Sequence, residues 1–94
     1  MLQENIIREH ILYHLAVNRK NIIGGRVREG RRSARPPVTQ KDLVARLQVL
    51  GVMMDQSSIS KIESGQRPVI DIEVAALAKA LRVSVAWLFE GIDR

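Results

Sequence analysis

Apolar residues recur at the three- and four-residue spacing of amphipathic helices along most of the chain, and the strict alternation of a strand is rare. In residues 39–50, three leucines fall on one helical face. Residues 72–81 are rich in alanine, which suits close helix packing, and a shorter apolar segment follows over 84–90. The pattern therefore predicts an all-α protein.

Polar residues that favour helix N-termini mark where these helices begin. Thr39 is followed three residues later by Asp42, a spacing close to that of a capping box. Asp55, Asp71 and Ser84 are the predicted N-caps of the next three helices. Their short side-chain oxygens can accept a hydrogen bond from a backbone N–H of the first turn.

Proline and glycine mark where helices end. Pro36 and Pro37 must break a helix arriving from residue 22 onward, because proline has no backbone donor and restricts the residue before it. Gly51 and Gly65 follow apolar-periodic stretches, at the position where helices commonly terminate.

The segment 55–64 combines an apolar face with a distinctive polar one. Ile59 and Ile62 share the inner face, and Glu63 follows Ile59 by four residues, so its carboxylate also turns inward and requires a cationic partner. The outer face fits the DNA major groove, where glutamine can pair with adenine and lysine or serine can reach guanine. An ordinary polar surface helix would show the same pattern. The outer residues are Gln56, Ser57, Ser60, Lys61 and Ser64.

Positive charge is concentrated in one part of the chain. The formal net charge is +5, and residues 19–46 hold nine basic side chains against two acidic ones. Such a block on an otherwise nearly neutral chain suggests an anionic partner, of which duplex nucleic acid is the commonest. A solvated basic face would give the same count, so charge alone does not decide.

Composition disfavours several function classes. The absence of cysteine excludes disulfides, thiolate metal sites and cysteine nucleophiles. Three aromatic residues are too few for a single-strand binding fold, which needs several stacking platforms. The longest uncharged run, residues 10–18, is far shorter than the ~20 residues that span a bilayer, and charged residues interrupt the N-terminus where a signal peptide would be apolar. We therefore expect a cytoplasmic protein without membrane association.

No arrangement of residues suggests an enzyme. The chain lacks a Ser/His/Asp spacing, a glycine-rich phosphate loop and paired carboxylates. His10 and His14 stand four apart, a spacing that can hold zinc, but no third ligand is evident. We expect no catalytic residues, no metal site and no cofactor.

Four sequence motifs occur in order within residues 23–91, about three-quarters of the chain. They read IGGRVREGR from Ile23, TQKDLVARL from Thr39, SISKIESGQRP from Ser58 and LAKALRVSVAWL from Leu77. This ordered set resembles the Cro and phage-repressor (Xre-like) helix-turn-helix family. The resemblance implies a compact five-helix repressor-like DNA-binding domain over residues 22–94, preceded by an N-terminal helical extension over residues 1–21.

The resemblance also implies a function and a set of site residues. The function is that of a sequence-specific transcriptional regulator, which binds double-stranded DNA as a homodimer and reads the major groove with helix 55–64. Arg31 is the implied partner of Glu63 in a structural ion pair. The implied base readers are Gln56, Ser57, Ser60 and Lys61, and the implied phosphate contacts are Gln40, Lys41, Ser58, Ser64 and Arg67.

The chain departs from the family pattern in two places. The segment before Thr39 is two residues longer than usual and contains the proline pair. The segment from Leu47 to Ile59 is five residues longer. We expect about one additional turn on the second helix, ended by Gly51, with Val52 and at least one methionine packed inward.

The extension lies outside the resemblance and is predicted to be helical over residues 3–17. Ile7, Ile11 and Leu15 line one face of that helix. Three roles fit such a face: packing onto its own domain, forming a dimer interface, or binding another protein. The last role is that of an antitoxin-like or adaptor module, which is the alternative to a DNA-binding regulator.

Overall fold

The computed structural model describes residues 8, 9, 11–13 and 18–90. Residues 18–90 form five α-helices, and no strand occurs in the described part of the chain, as the sequence predicts. The segment 8–13 is helical at its described positions, and the remainder of the helix predicted over 3–17, including His10 and His14, lies outside the described residues. The five helices are α1 (Gly24–Ser33), α2 (Gln40–Val49), α3 (Gln56–Glu63), α4 (Asp71–Leu81) and α5 (Val85–Phe89).

Three of the four predicted N-caps are confirmed. The Thr39 hydroxyl accepts a hydrogen bond from the Asp42 N–H, and the Asp42 carboxylate accepts one from the Thr39 N–H, each at 3.0 Å, which completes a capping box at α2. Asp55 accepts from a first-turn N–H of α3 at 2.8 Å, and Ser84 does the same for α5 at 3.0 Å.

The predicted cap at Asp71 is wrong. The N-cap of α4 is Ile70, and Asp71 is the first residue of the helix. Isoleucine has no side-chain acceptor for the first-turn N–H groups, and Glu73 supplies only the reverse contact, in which its Oε1 accepts a hydrogen bond from the Ile70 N–H at 3.2 Å. Asp71 instead places a negative charge in the first turn, where the helix dipole favours it.

Helices α2 and α3 end in the same way, at a glycine with positive φ. Gly51 has φ 85° and Gly65 has φ 78°, a region that favours glycine. At Gly51 two backbone hydrogen bonds of 2.9 Å, from Gly51 to Gln48 and from Val52 to Leu47, form a Schellman motif. Since α2 runs to Val49, the additional turn predicted from the longer segment is confirmed.

The segment between α2 and α3 is packed by two of its apolar side chains. Met54 is buried in the core, and Val52 packs against it. Met53 points outward and is 73% exposed. The expectation that Val52 and at least one methionine turn inward is therefore confirmed.

All five helices contribute to one apolar core. Burial of Ile59 and Ile62 in that core turns the opposite face of α3 to solvent. The core thus sets which side chains α3 displays. Its fully buried members include Val27 from α1, Leu43 and Leu47 from α2, Ile59 and Ile62 from α3, Leu77 from α4 and Leu88 from α5.

The start of α1 lies directly against the end of α3. A Cβ on Gly24 would lie 2.1 Å from the carbonyl oxygen of Ile62, so only glycine permits this approach. Asn21 joins the two elements: its Oδ1 accepts from the Gly24 N–H at 2.8 Å, and its Nδ2 donates to the Ile62 carbonyl at 3.0 Å and to the Arg67 carbonyl at 2.8 Å.

Two neighbouring glycines provide a test of this close approach. Gly24→Ala should lower the free energy of unfolding by about 1–3 kcal/mol, because the new methyl group overpacks the contact with α3. Gly25→Ala is the matched control, since a Cβ there meets no atom within 4 Å. It should be neutral or raise stability by up to about 1 kcal/mol through helix propensity. Urea denaturation measures the free energy of unfolding of both variants. Equal changes would contradict the close contact between Gly24 and the end of α3.

Candidate nucleic-acid interface

The four predicted base readers lie together on the outer face of α3. Gln56, Ser57, Ser60 and Lys61 are all exposed. Lys61 is the only one of them that carries a charge. This face is therefore polar and nearly neutral, and its side chains are accessible to a ligand.

The predicted phosphate contacts lie around α3. Gln40 and Lys41 are the first two residues of α2, where backbone N–H groups are not used by the helix. Ser58 lies in the first turn of α3, and its N–H is already bonded to Asp55. Ser64 is the C-cap of α3, and its hydroxyl donates to the Lys61 carbonyl at 3.2 Å.

Arg67 is the predicted phosphate contact whose charge already has a partner. Its Nη1 and Nη2 lie 2.9 and 3.0 Å from the two carboxylate oxygens of Glu73. The hydrogen bonds of this pair raise the pKa of Arg67 and lower the pKa of Glu73. A phosphate would therefore have to compete with Glu73 for this guanidinium.

A buried ion pair lies beneath the inner face of α3. Arg31 Nε is 2.5 Å from Glu63 Oε2, and Arg31 Nη2 is 2.7 Å from Oε1, which makes the pair bidentate. Arg31 Nη1 also donates to the Val38 carbonyl at 3.1 Å. The structure thus brings together the two residues that the resemblance pairs, and the pair joins α1, α3 and the loop before α2.

Glu63 remains ionised because its partners outweigh its burial. Burial alone would raise the pKa of this carboxyl, but the hydrogen bonds and charge of Arg31, with hydrogen bonds from Gln40 and Arg28, hold the pKa below its ordinary value of 4.5. Gln40 Nε2 lies 3.2 Å and Arg28 Nε lies 3.3 Å from Glu63 Oε1.

The Glu63 carboxylate fixes the orientation of two glutamine amides. An ionised carboxylate can only accept hydrogen bonds, so Gln40 directs its NH₂ group at Glu63 and its Oε1 away from it. That Oε1 accepts a hydrogen bond from Gln56 Nε2 at 3.2 Å. Gln56 is left with its own Oε1 and one amide N–H for an outside partner, an acceptor and a donor side by side.

More than half of the basic block is engaged inside the domain. Arg26 stacks over the Trp87 ring, 3.5 Å from its centroid, and donates to the Trp87 carbonyl at 2.9 Å. The other engaged side chains are Arg28 and Arg31 at Glu63, Arg35 at two loop carbonyls and Arg46 at the Ala80 carbonyl. Within the part of the chain that the structure describes, the exposed basic side chains of the block without an ion pair are Arg19, Lys20, Arg32, Arg35 and Lys41, of which Arg35 has the carbonyl contacts given above.

Sequence reasoning did not identify the Gln40–Gln56 contact, the Arg67–Glu73 pair or the Arg26–Trp87 stack. A glutamine at the first position of two consecutive helices was the available signal for the first. Among the described residues, no group of three or more His, Asp or Glu side chains could hold a metal ion. No helix in that part of the chain is long and apolar enough to cross a membrane.

Among the comparisons with known proteins, the one with family models gives a match. A family model described as helix-turn-helix matches residues 38–88, more than half of the chain. The match begins just before α2 and ends within α5, so it contains Gln40 and all of α3 but not α1. No match to a curated protein or to a solved structure was found.

Glu63→Gln should destabilise the domain strongly at neutral pH. It leaves the Arg31 charge buried without a counter-charge, a change that costs about 3–5 kcal/mol when one partner of a buried pair is removed. The folded-state pKa of Glu63 lies below its ordinary value, so the pair contributes fully above pH 4.5 and its contribution is lost as the pH falls through the folded-state pKa. The difference between wild type and variant should therefore narrow in acid, as measured by urea denaturation at several pH values.

Glu29→Gln provides the matched control. Glu29 pairs with Arg26 at 3.1 Å but is largely exposed, so the same substitution should cost less than about 1 kcal/mol. Equal losses in the two variants, or a gap that stays constant from pH 7 into acid, would contradict the stabilising role of the buried pair.

Proposed function

The chain belongs to the helix-turn-helix family of the Cro and phage-repressor type, whose domains bind DNA, and from that premise we propose that it is a sequence-specific regulator of transcription. In this proposal α3 enters the major groove of duplex DNA. The observation that carries it is the hydrogen-bonded series from buried Glu63 through Gln40 to exposed Gln56. These hydrogen bonds orient the Gln56 amide before any ligand binds. A glutamine on an ordinary surface helix needs no such fixed orientation.

The base readers in this proposal are the exposed side chains of α3. Gln56 offers an acceptor and a donor side by side, which match the N6 amino group and N7 of adenine. Ser57 and Ser60 can bond either kind of base edge, and Lys61 suits the two acceptors of guanine. Sequence preference would therefore come from hydrogen-bond geometry, since Lys61 is the single charge among these four.

Phosphate groups would meet the residues around α3. Gln40 and Lys41 offer the N-terminus of α2, where free N–H groups and the helix dipole favour an anion. Ser58 and Ser64 add hydroxyl groups near the two ends of α3. Arg67 joins this set by sharing its guanidinium between a phosphate and Glu73.

A homodimer is part of the proposal, since a second copy would place a second α3 on the neighbouring half-site, one DNA turn away. Exposed apolar side chains at the start of α4 and on α5 support a contact there. Ile72 is 65% exposed and Ile70 is 59% exposed at the start of α4, and Val85, which is 44% exposed, lines a cleft between α4 and α5. Paired apolar faces of this kind are buried when a two-fold dimer forms.

An interaction module of the antitoxin or adaptor kind is the second candidate function. The observation that favours it is the exposure of Ile11 and Leu12, which lie in the helical positions 11–13 and are available to another protein. The two functions are compatible, because Ile11 and Leu12 are not among the residues assigned here to DNA. Enrichment of a sequence from a random duplex pool would support DNA reading; no enrichment would leave the interaction module as the better candidate.

Gln56→Ala should weaken binding to a duplex selected from a random pool by about 1–3 kcal/mol and relax the preference at one base pair, because it removes both hydrogen bonds to one base. Binding to random-sequence duplex should change little. Gln48→Ala, an exposed glutamine at the far end of α2, is the control and should leave both affinities unchanged. Equal losses on selected and random DNA would refute base reading by Gln56.

Ile72→Glu should convert the dimer to a monomer, because it places a charge in the apolar contact between two α4–α5 faces. Leu12→Glu introduces the same charge on the N-terminal segment and should leave the dimer intact. Light scattering of the full-length chain measures the mass of each variant. The opposite outcome, with a monomer only for Leu12→Glu, would assign the dimer interface to the extension.

A further inference from the structure

A cleft of about 450 Å³ lies beside the C-terminal end of α3. Its walls combine the turn after α3 with a segment that precedes α1. The residues used below are Arg19 and Lys20 from that segment, and Ser64, Gly65 and Gln66 from the turn. Arg19 and Lys20 lie outside the range that the family model matches.

Hydrogen bonds from the Lys20 backbone and the Asn21 side chain hold the segment against the turn. The Lys20 N–H donates to the Gly65 carbonyl at 2.8 Å, and the next residue, Asn21, donates to the carbonyls of Ile62 and Arg67. The stem of Arg19 lies over Gly65, where an added Cβ would be 2.9 Å from Arg19 Cγ. The segment therefore keeps its position without using the charges of Arg19 or Lys20.

Both cations are available to a ligand. Arg19 and Lys20 are exposed and form no ion pair within the described residues. The basic side chain on the turn itself, Arg67, is held by Glu73. Ser64 and Gln66 add neutral hydrogen-bonding groups, so the cleft suits an anion with several oxygens.

The cleft lies at one end of the row that faces the groove. Gln56, Ser60 and Ser64 follow each other at four-residue spacing along α3, and Gln40 contacts the first of them. At 1.5 Å per residue this row is ~12 Å long. The major groove is also about 12 Å wide, so the two ends of this row, where Gln40 and the cleft lie, are about as far apart as the phosphate strands that border the groove.

We propose that Arg19 and Lys20, with Ser64 and Gln66, form a binding site for a backbone phosphate of duplex DNA. The site rests on the proposed function. It adds a contact from outside the matched domain, on the strand opposite to that met by Gln40 and Lys41. The unpaired charge of this contact comes from the segment before α1, because Arg67 shares its charge with Glu73.

The test is the salt dependence of binding by the full-length chain to a random-sequence duplex, measured by fluorescence anisotropy between about 50 and 200 mM salt. Arg19→Gln combined with Lys20→Gln should make the slope of log affinity against log salt shallower by about 0.9, the value for one lost phosphate contact. The loss should be equal on selected and random duplexes, unlike that of Gln56→Ala.

The matched control combines Lys79→Gln with Arg82→Gln. Both residues are exposed and border a separate cleft with Val49 and Leu50, at the end of α2 opposite to Gln40. This variant loses the same two charges and should keep the wild-type slope. Arg19→Lys retains the charge and should also keep it, and equal melting temperatures would show that all variants are folded.

The outcomes separate the two proposals. Equal reductions of slope in the two double variants would overturn the phosphate site in favour of general attraction by net charge. An unchanged slope in the Arg19 and Lys20 variant, with wild-type binding intact, would overturn the site alone. No duplex binding by the wild type would refute the proposed function, and the site with it; retention of an acidic peptide by the same cleft would then assign it to a protein partner.

Discussion

The buried ion pair between Arg31 and Glu63 is the interaction on which the rest of the structure depends. A carboxylate without exposure is tolerated only when it is paired and fully hydrogen-bonded, so its position constrains every group around it. Arg31, on α1, supplies the opposite charge and hydrogen bonds to the Glu63 carboxylate. It also donates a hydrogen bond to the Val38 carbonyl in the loop before α2. An apolar pair of similar volume could stabilise the same core, but it could not direct the amide of Gln40. The charged pair therefore orients the Gln40 amide in addition to stabilising the core.

Local chemistry explains how much of this fold follows from the sequence. Thr39, Asp55 and Ser84 are read correctly as caps because each acts on an N–H three residues away. The prediction for Asp71 is wrong because the helix begins one residue earlier than a cap at Asp71 requires: Ile70 is the N-cap, and Glu73 reaches back to the Ile70 N–H. The inward direction of Glu63 follows from its spacing to Ile59, whereas the identity of its partner required the family resemblance.

The contacts that the sequence did not predict depend on which faces of different helices pack together. The Gln40–Gln56 contact joins the first residues of α2 and α3, which are separated in the chain by the rest of α2 and the lengthened segment 48–54. Arg26 finds Trp87 only because α5 folds back onto α1. Periodicity places each of these residues on a face of its own helix, but it does not state which faces meet.

The net charge of residues 19–46 therefore overstates the number of cations available to bind DNA. Five of the nine basic side chains in residues 19–46 bind groups of the domain itself, and their charge contributes to packing and helix docking. The exposed remainder includes Arg19, Lys20 and Lys41, near the two ends of α3, where salt can screen them. Gln56 depends instead on a buried carboxylate that salt screens much less. On the proposed function, rising salt should weaken binding to all duplexes before it alters which base pair Gln56 prefers, because affinity and sequence preference arise from groups in different electrostatic environments.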